Sequence, residues 1–138
     1  MQHTVNCGLT KRFDTVDKLD QKYLFVPSSV RDVYLAHLLQ KDMADKTVIL
    51  FVSKCRNCEL LRIMLKELGI RSTALYVFYI ILFNSRHSQM SQSDRIGSIA
   101  KFKSRIVPIL ISTDVGSRGL DIPQVQVVIN YDLPADGK

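Results

Sequence analysis

Two runs of consecutive apolar residues, rich in β-branched side chains, constrain the fold of this chain most. They lie at 46–53 (KTVILFVS) and 105–113 (RIVPILIST). Continuous rather than alternating hydrophobicity is typical of strands covered on both faces, as in parallel sheets. Segments with helical spacing alternate with these runs, and strand–helix alternation implies right-handed crossovers. The sequence therefore predicts an α/β domain with a mainly parallel sheet.

Three further segments complete a predicted sheet of about five strands. A short apolar run at 21–27 ends at a proline, IRSTAL at 70–75 starts another strand, and VQVVINYDLP at 125–134 forms the last. No internal repeat and no second domain is visible, so one domain is expected over residues 20–138, preceded by a polar lead-in at 1–19.

Helices are predicted between these strands from capping residues and apolar spacing. The first follows Ser28 or Ser29, the second ends at Gly69, and the third follows Ser91 or Ser93. The predicted apolar face of the first helix is Val30, Val33, Tyr34, His37 and Leu38. That of the second is Leu60, Leu61, Met64, Leu65 and Leu68.

Composition limits the kinds of partner. The chain has 138 residues, a net charge of +6 and a pI near 9.4, and a basic balance favours anionic partners such as nucleic acid or phosphate. Its longest apolar run, at 76–83, is too short to span a bilayer, and the N-terminus lacks the apolar core of a signal peptide. We expect an intracellular chain with no membrane partner.

The three cysteines form a sparse, odd set: Cys7, Cys55 and Cys58. This favours a reducing compartment over a disulfide framework. The spacing of Cys55 and Cys58 also occurs in zinc and redox sites, but no second pair supplies the remaining zinc ligands. We interpret both as small residues on the first turn of the second helix.

The polar segment ISTDVGSRGLDIP at 111–123 directly follows a predicted strand. It combines hydroxyl, acidic, basic and glycine residues: Thr113, Asp114, Gly116, Arg118, Gly119 and Asp121. Ligands of parallel sheets gather at the carboxyl ends of the strands, and glycines let backbone approach a ligand closely. Two interpretations stay open from these residues alone: a ligand site, or an arginine–aspartate pair that braces the loop.

A family resemblance favours the ligand site. ISTDVGSRGLDIPQVQVVINYDLP resembles motif V of the DEAD-box RNA helicases, VILFVS resembles motif IV, and Gln92-Ser93-Asp94-Arg95 matches the QxxR motif. The resemblance covers residues 20 to 134 and implies the second RecA-like domain of the helicase core, a three-layer α-β-α sandwich. LDQKYLFVPSSVRDVYLAHLL is most similar to the subgroup implicated in small-subunit ribosomal RNA processing, which implies a nuclear or nucleolar location.

The resemblance also implies roles for individual residues. The residues expected to contact the phosphates of single-stranded RNA are Ser53, Arg95, Thr113 and Gly116. These contacts would not depend on the RNA sequence. Asp121 would face the ribose of ATP. The residues expected to organise the loop and couple its two faces are Asp114, Arg118 and Gly119.

The chemistry of ATP hydrolysis is expected to lie largely outside this sequence. No GxxxxGK[ST] loop or Asp-Glu-Ala-Asp motif occurs, and the sequence ends at Lys138, before the expected motif VI. The resemblance implies that ATP and Mg²⁺ are bound mainly by a first RecA-like domain, so we expect this polypeptide alone to hydrolyse no ATP. The alternative is a non-catalytic module that binds RNA or a regulatory protein. A doubly wound domain of another class is disfavoured because no GxGxxG follows the first strand.

An apolar insertion, YVFYIILFNSR at 76–86, departs from the family pattern. Without it, STALHSQMSQSDR would run on as the family does. The insertion could extend the third strand, cover a neighbouring surface, mediate dimerisation, or derive from a retained intron. If ordered, we expect it to pack between the third strand and the helix that begins near Gln92.

Overall fold

The computed structural model describes residues 20–75, 91–114, 119, 122 and 124–132. The lead-in at 1–19 and the insertion at 76–86 therefore lie outside the described residues. The helices are α1 (Arg31–Lys41), α2 (Cys55–Glu67) and α3 (Gln92–Lys103), and a 3₁₀ turn at Ser28–Val30 precedes α1. The strands are β1 (Val48–Val52), β2 (Ser72–Leu75), β3 (Ile109–Thr113) and β4 (Val127–Asn130).

Internal contacts divide the chain into two compact units, Met1–Leu35 and Ala36–Lys138. The boundary falls inside α1, and all four strands belong to the second unit. Within the described residues, no helix is long and apolar enough to cross a membrane.

Every strand pairing in the described sheet is parallel, which confirms the predicted α/β class. The order is β2-β3-β1-β4, with Leu50 of β1 opposite Ile111 of β3 and Ile129 of β4. The chain crosses the sheet in one direction from β1 to β2 and returns from β2 to β3. Right-handed crossovers therefore place α2 and α3 on opposite faces.

Both faces of the central strands are covered, as their continuous hydrophobicity predicted. On the α3 side, Ile49, Leu75 and Leu110 pack with Phe102 of the helix. The α2 helix contacts β1, β2 and β3, and the buried residues of that helix are Cys58, Leu61 and Leu65. Because alternate side chains of a strand face opposite sides, Val48 and Leu50 lie on the α2 side.

The strand predicted at 21–27 is wrong. These residues pair with no strand of the described sheet, and Tyr23, Leu24 and Phe25 are exposed, Phe25 by 91%. An apolar run becomes a strand only where a neighbour satisfies its backbone groups. Here Pro27 leads directly into the 3₁₀ turn. The described sheet thus has four strands rather than about five.

The predicted apolar faces of the first two helices are only partly correct. In α1, Val33, Tyr34 and His37 are exposed, whereas the buried positions are Leu35, Ala36 and Leu39. In α2, Leu61 and Leu65 are buried as predicted, but Leu60 and Leu68 are exposed. Both helices carry apolar residues on two faces, so their periodicity alone does not decide which face is covered.

The end of α2 follows the prediction closely. Gly69 adopts a left-handed φ of 74°, and its amide donates to the carbonyl of Lys66 at 3.0 Å. The next amide, of Ile70, donates to the carbonyl of Leu65 at 2.8 Å. This pair of bonds defines the glycine-terminated helix end known as the Schellman motif.

The cysteine pair occupies the first turn of α2, as interpreted from the sequence. Cys58 is fully buried, and Cys55 is half-buried at the first residue of the helix. No cluster of three or more His, Cys, Asp or Glu suited to a metal ion occurs in the described ranges. Burial raises the pKa of Cys58 to about 12 and raises the pKa of Cys55 as well.

These environments predict different thiol reactivities. Reaction with iodoacetamide requires the thiolate, and a pKa of about 12 leaves a thiolate fraction of only about 10⁻⁴ at pH 8. We expect Cys55 to be alkylated well before Cys58 in the native protein, as read by peptide mass spectrometry. Unfolding in urea should bring the two rates together. Native labelling of Cys58 as fast as Cys55 would contradict the buried placement.

Candidate functional site

The carboxyl ends of the parallel strands bring distant segments to one edge of the sheet, called here the carboxyl edge. Ser53 directly follows β1, Thr113 ends β3, and Asp132 follows β4 after one intervening residue. The α3 helix comes after β2, so its N-terminus lies at this edge too. Ligands of open parallel sheets bind at such an edge.

Asp132, which follows β4, is bonded through one carboxylate oxygen to the end of β1 and to the first turn of α2. Its Oδ2 accepts from the amide and from Oγ of Ser53, each at 2.9 Å, and from Nδ2 of Asn57 at 3.3 Å. The amide of Tyr131 donates to the carbonyl of Phe51 at 2.9 Å, which continues the β1–β4 ladder up to this point. The hydroxyl of Ser53 is therefore oriented by a carboxylate 79 residues away.

Neither Asp132 nor Asn57 was assigned a role from the sequence. Asp132 belongs to the quoted motif V strand, and an acidic residue just after a strand end was the available signal. Its pairing with the end of β1 depends on the strand order, because β4 must lie beside β1. For Asn57, the sequence offered only a position in the first turn of α2.

The N-terminus of α3 is fixed by a serine cap, as predicted. Oγ of Ser91 accepts from the amide of Asp94 at 3.0 Å and donates to its Oδ2 at 2.6 Å. This reciprocal pair resembles the capping box, in which cap and third residue satisfy each other. Asp94 also places a negative charge near the positive end of the helix dipole.

Arg95 occupies the same first turn and has spare hydrogen-bonding capacity. Its side chain is half-buried, and Nη1 makes one long contact to Oε1 of Gln92 at 3.5 Å. Nε is buried and has no hydrogen-bond partner among the described residues. Buried donors are nearly always paired, so this nitrogen marks a place where an acceptor fits.

Two buried hydrogen bonds hold the frame around this site. Oγ1 of Thr73 on β2 donates to Oγ of Ser98, which lies one turn after Arg95 on α3. Oγ of Ser112 on β3 donates to the carbonyl of Leu75 at 3.0 Å, which links the ends of two neighbouring strands. Because both bonds lie in the interior, the first holds α3 against β2 and the second holds the end of β2 against β3.

The described loop residues can be compared with their predicted roles. Thr113 is buried, with 6% of its surface exposed, and Asp114 is exposed directly after it. Gly119 is exposed with φ of 74°, a conformation that favours glycine over other residues. Gly116, Arg118 and Asp121 lie outside the described residues, so their predicted roles are untested.

The topology thus brings Ser53, Thr113 and Asp114 to one edge together with the helix start that carries Arg95. The site combines hydroxyl groups, backbone amides at a helix N-terminus and a guanidinium with free capacity. Donors of these kinds hold phosphate groups. Its chemistry suits a phosphate-bearing ligand better than it suits a metal ion.

Comparison with known proteins identifies the family. Residues 30–138 match the family described as "Helicase conserved C-terminal domain". The mouse protein "Probable ATP-dependent RNA helicase DDX47" is 41% identical over 138 residues, which is all of this chain and 28% of the relative. The chain therefore spans less than a third of that curated relative.

Solved structures share the fold. The Escherichia coli DEAD-box protein SrmB, in a crystal structure with the regulator RraA, has a TM-score of 0.62 and 32% identity over 77% of this chain and 55% of its own. Dbp5 L327V from Saccharomyces cerevisiae, bound to RNA and ADP BeF3, has a TM-score of 0.64 and 28% identity over 80% of this chain and 26% of its own. The RecA-like fold predicted above is therefore confirmed, and the chain belongs to the helicase conserved C-terminal domain family, in its DEAD-box branch.

Proposed function

We propose that this chain is the RNA-binding and ATP-facing C-terminal domain of an ATP-dependent RNA helicase. The carboxyl edge of the sheet binds the sugar-phosphate backbone of single-stranded RNA through Ser53, Arg95, Thr113 and Gly116. Backbone contacts carry no sequence information, so binding is not sequence-specific. Family membership supports this assignment, and the relative Dbp5 was solved with RNA bound.

The observation that carries the proposal is the environment of Arg95. The Nε of this half-buried guanidinium is buried without a hydrogen-bond partner among the described residues. Burying a donor in this way costs free energy unless an acceptor binds it. A phosphate oxygen provides a charged acceptor, and charge-assisted bonds of this kind are about twice as strong as neutral ones. The position at the start of α3 adds the favourable field of a helix N-terminus.

ATP is proposed to bind between this domain and a first RecA-like domain outside the sequence. Asp121 would meet the ribose, while Asp114, Arg118 and Gly119 would couple the RNA and nucleotide faces of one loop. Mg²⁺ would be bound mainly by the first domain and would neutralise charge on the phosphates. The loop needs both charges and glycines because it contacts two different ligands.

A regulatory protein partner is a second proposal. Its support is the SrmB structure, in which a relative with the same fold is bound to a regulator. The resemblance of residues 19–39 to helicases of small-subunit ribosomal RNA processing further suggests ribosomal RNA as the substrate and the nucleolus as the location. Neither point depends on the residues at the carboxyl edge.

The first prediction concerns Arg95. Arg95→Ala should weaken single-stranded RNA binding about tenfold, or ~1.4 kcal/mol, on every sequence alike, and should reduce the salt slope by about 0.7. Fluorescence anisotropy over a salt series measures both quantities. Arg62→Ala is the matched control, because Arg62 is already paired with Glu59 on α2. A loss confined to one RNA sequence would contradict backbone binding.

The second prediction concerns the acceptor that orients Ser53. Asp132→Ala removes the partner of two Ser53 donors and one Asn57 donor. We expect a loss of about 1–2 kcal/mol in the free energy of unfolding together with weaker RNA binding. A double-mutant cycle of Ser53→Ala with Asp132→Asn separates positioning from general stability. Additive effects on RNA affinity in that cycle would show that Asp132 does not act through Ser53.

The third prediction concerns catalysis. The 138-residue polypeptide alone should show no RNA-stimulated ATP hydrolysis, because the phosphate loop and the arginines of motif VI lie outside it. Such arginines alone contribute roughly 10³–10⁵ in rate. The full-length protein, assayed beside it with the same RNA, should hydrolyse ATP. Measurable RNA-stimulated ATP hydrolysis by the isolated chain would refute the proposal that essential catalytic groups lie outside these 138 residues.

A further inference from the structure

The opposite edge of the sheet, where the strands begin, carries a set of cations that the proposed RNA site does not use. We call it the basic row: Lys46, Arg71, Lys101, Lys103 and Arg105. All five side chains are exposed. Lys46 and Arg71 each lie just before a strand, and the other three lie at the end of α3 or in the turn that leads to β3.

Hydrogen bonds show that the turns bearing these residues are neighbours. Nη1 of Arg71 donates to the carbonyl of Ile106 at 3.1 Å, and Nη2 of Arg105 donates to Oε1 of Gln124 at 2.5 Å. Oγ1 of Thr47 in turn donates to the carbonyl of Gln124 at 2.7 Å. The row therefore runs continuously from the start of β2, past the start of β3, to the start of β1.

The strand order sets the geometry of the row. Because β2, β3 and β1 are adjacent, the segments that carry Arg71, Arg105 and Lys46 follow one another in that order along this edge. No carboxylate of the described residues lies within ion-pair distance of any of the five. Asp45, next to Lys46 in the chain, makes no such pair either.

The conformation of Arg105 distinguishes this row from ordinary surface charge. The α3 helix ends as α2 does, with the amide after the cap residue bonded to the carbonyl three residues back: Arg105 to Phe102, and Gly69 to Lys66. In α2 this left-handed position holds glycine, but in α3 it holds an arginine with φ of 57°. The left-handed region is unfavourable for a residue with a Cβ.

A favourable interaction with the helix dipole accounts for Lys101 and Lys103 in the last turn of α3. It does not account for an arginine at a position suited to glycine. The contact to Gln124 uses one nitrogen of the guanidinium, which has five N–H donors in total. The remaining donors are available to a ligand on this edge.

We propose that the basic row binds the sugar-phosphate backbone of a second RNA segment, away from the segment at the carboxyl edge. This inference rests on the proposed RNA-binding function. A five-residue strand is about 17 Å long, so one RNA must continue past the first site to reach the row. Exposed cations without a carboxylate partner among the described residues attract a polyanion, and lysine and arginine are the usual phosphate partners.

The test compares two RNAs on the full-length protein by anisotropy. The short one has about 8 nucleotides, within the size of one single-strand site, and the long one about 40. The variant Lys101→Gln/Lys103→Gln/Arg105→Gln should bind the long RNA about tenfold more weakly and lower its salt slope by about 2, at 0.7 per contact. Binding of the short RNA should not change.

Two controls separate charge from structure. The variant Lys101→Arg/Lys103→Arg/Arg105→Lys keeps every charge and should retain long-RNA binding; an equal loss in this variant would overturn the proposal. Arg105→Gly removes the left-handed arginine, so its Tm should not fall, yet it should weaken long-RNA binding about threefold. Unchanged long-RNA affinity in the triple glutamine variant would overturn the proposal outright.

The outcomes also separate this inference from the proposed function. Arg95→Ala should lower the affinity for both RNAs, whereas the triple glutamine variant should lower the affinity only for the long RNA. If Arg95→Ala affects neither RNA while the triple variant still weakens the long one, the carboxyl-edge site fails and the basic row stands. If the triple variant loses affinity for polyglutamate but not for RNA, the row serves an acidic protein and the RNA proposal is wrong.

Discussion

The structure depends on the parallel pairing of β1 with β3 and β4. These strands lie side by side, and Val48, Leu50, Leu110 and Ile111 are completely buried along them. Fully burying one such side chain contributes about 1.5–3 kcal/mol, and the backbone ladder satisfies the polar groups that enter the interior with it. Because the strands run the same way, their ends lie at one edge of the sheet and their starts at the other.

This constraint explains why some elements were predictable from the sequence. The segments around β1 and β3 are continuous apolar runs, and such runs are recognisable where both faces are covered. Gly69 was predicted as a helix end and Ser91 or Ser93 as a helix start, because a left-handed end and an N-terminal cap each favour particular residues locally; the structure selects Ser91. These signals need no knowledge of the rest of the chain.

Other features depend on contacts that a local pattern does not contain. Residues 21–27 have strand composition, but they pair with no strand among the described residues. The bond between Asp132 and Ser53 joins residues 79 positions apart and follows only from the order of β1 and β4. The left-handed Arg105 was equally hidden, because the sequence analysis placed it in the apolar run at 105–113, whereas β3 begins only at Ile109.

The two edges of the sheet differ in how they bear charge, and the difference has a physical basis. At the carboxyl edge, the Asp132 carboxylate accepts from Ser53 at a strand end, and the Asp94 carboxylate accepts from the Ser91 hydroxyl at a helix start, so both shape the site where an anion would bind. At the opposite edge the cations have no carboxylate partners among the described residues, and the C-terminus of α3 lies beside them.

This difference affects how each edge would bind a phosphate. A carboxylate close to a bound phosphate weakens the binding of that phosphate, but it also holds the neighbouring hydrogen-bond donors in a defined geometry. Cations without a carboxylate partner impose little geometry on a ligand. They attract a polyanion strongly, and that attraction depends steeply on salt concentration. The carboxyl edge is therefore suited to a defined, geometry-dependent contact, and the basic row to loose retention of a longer polyanion.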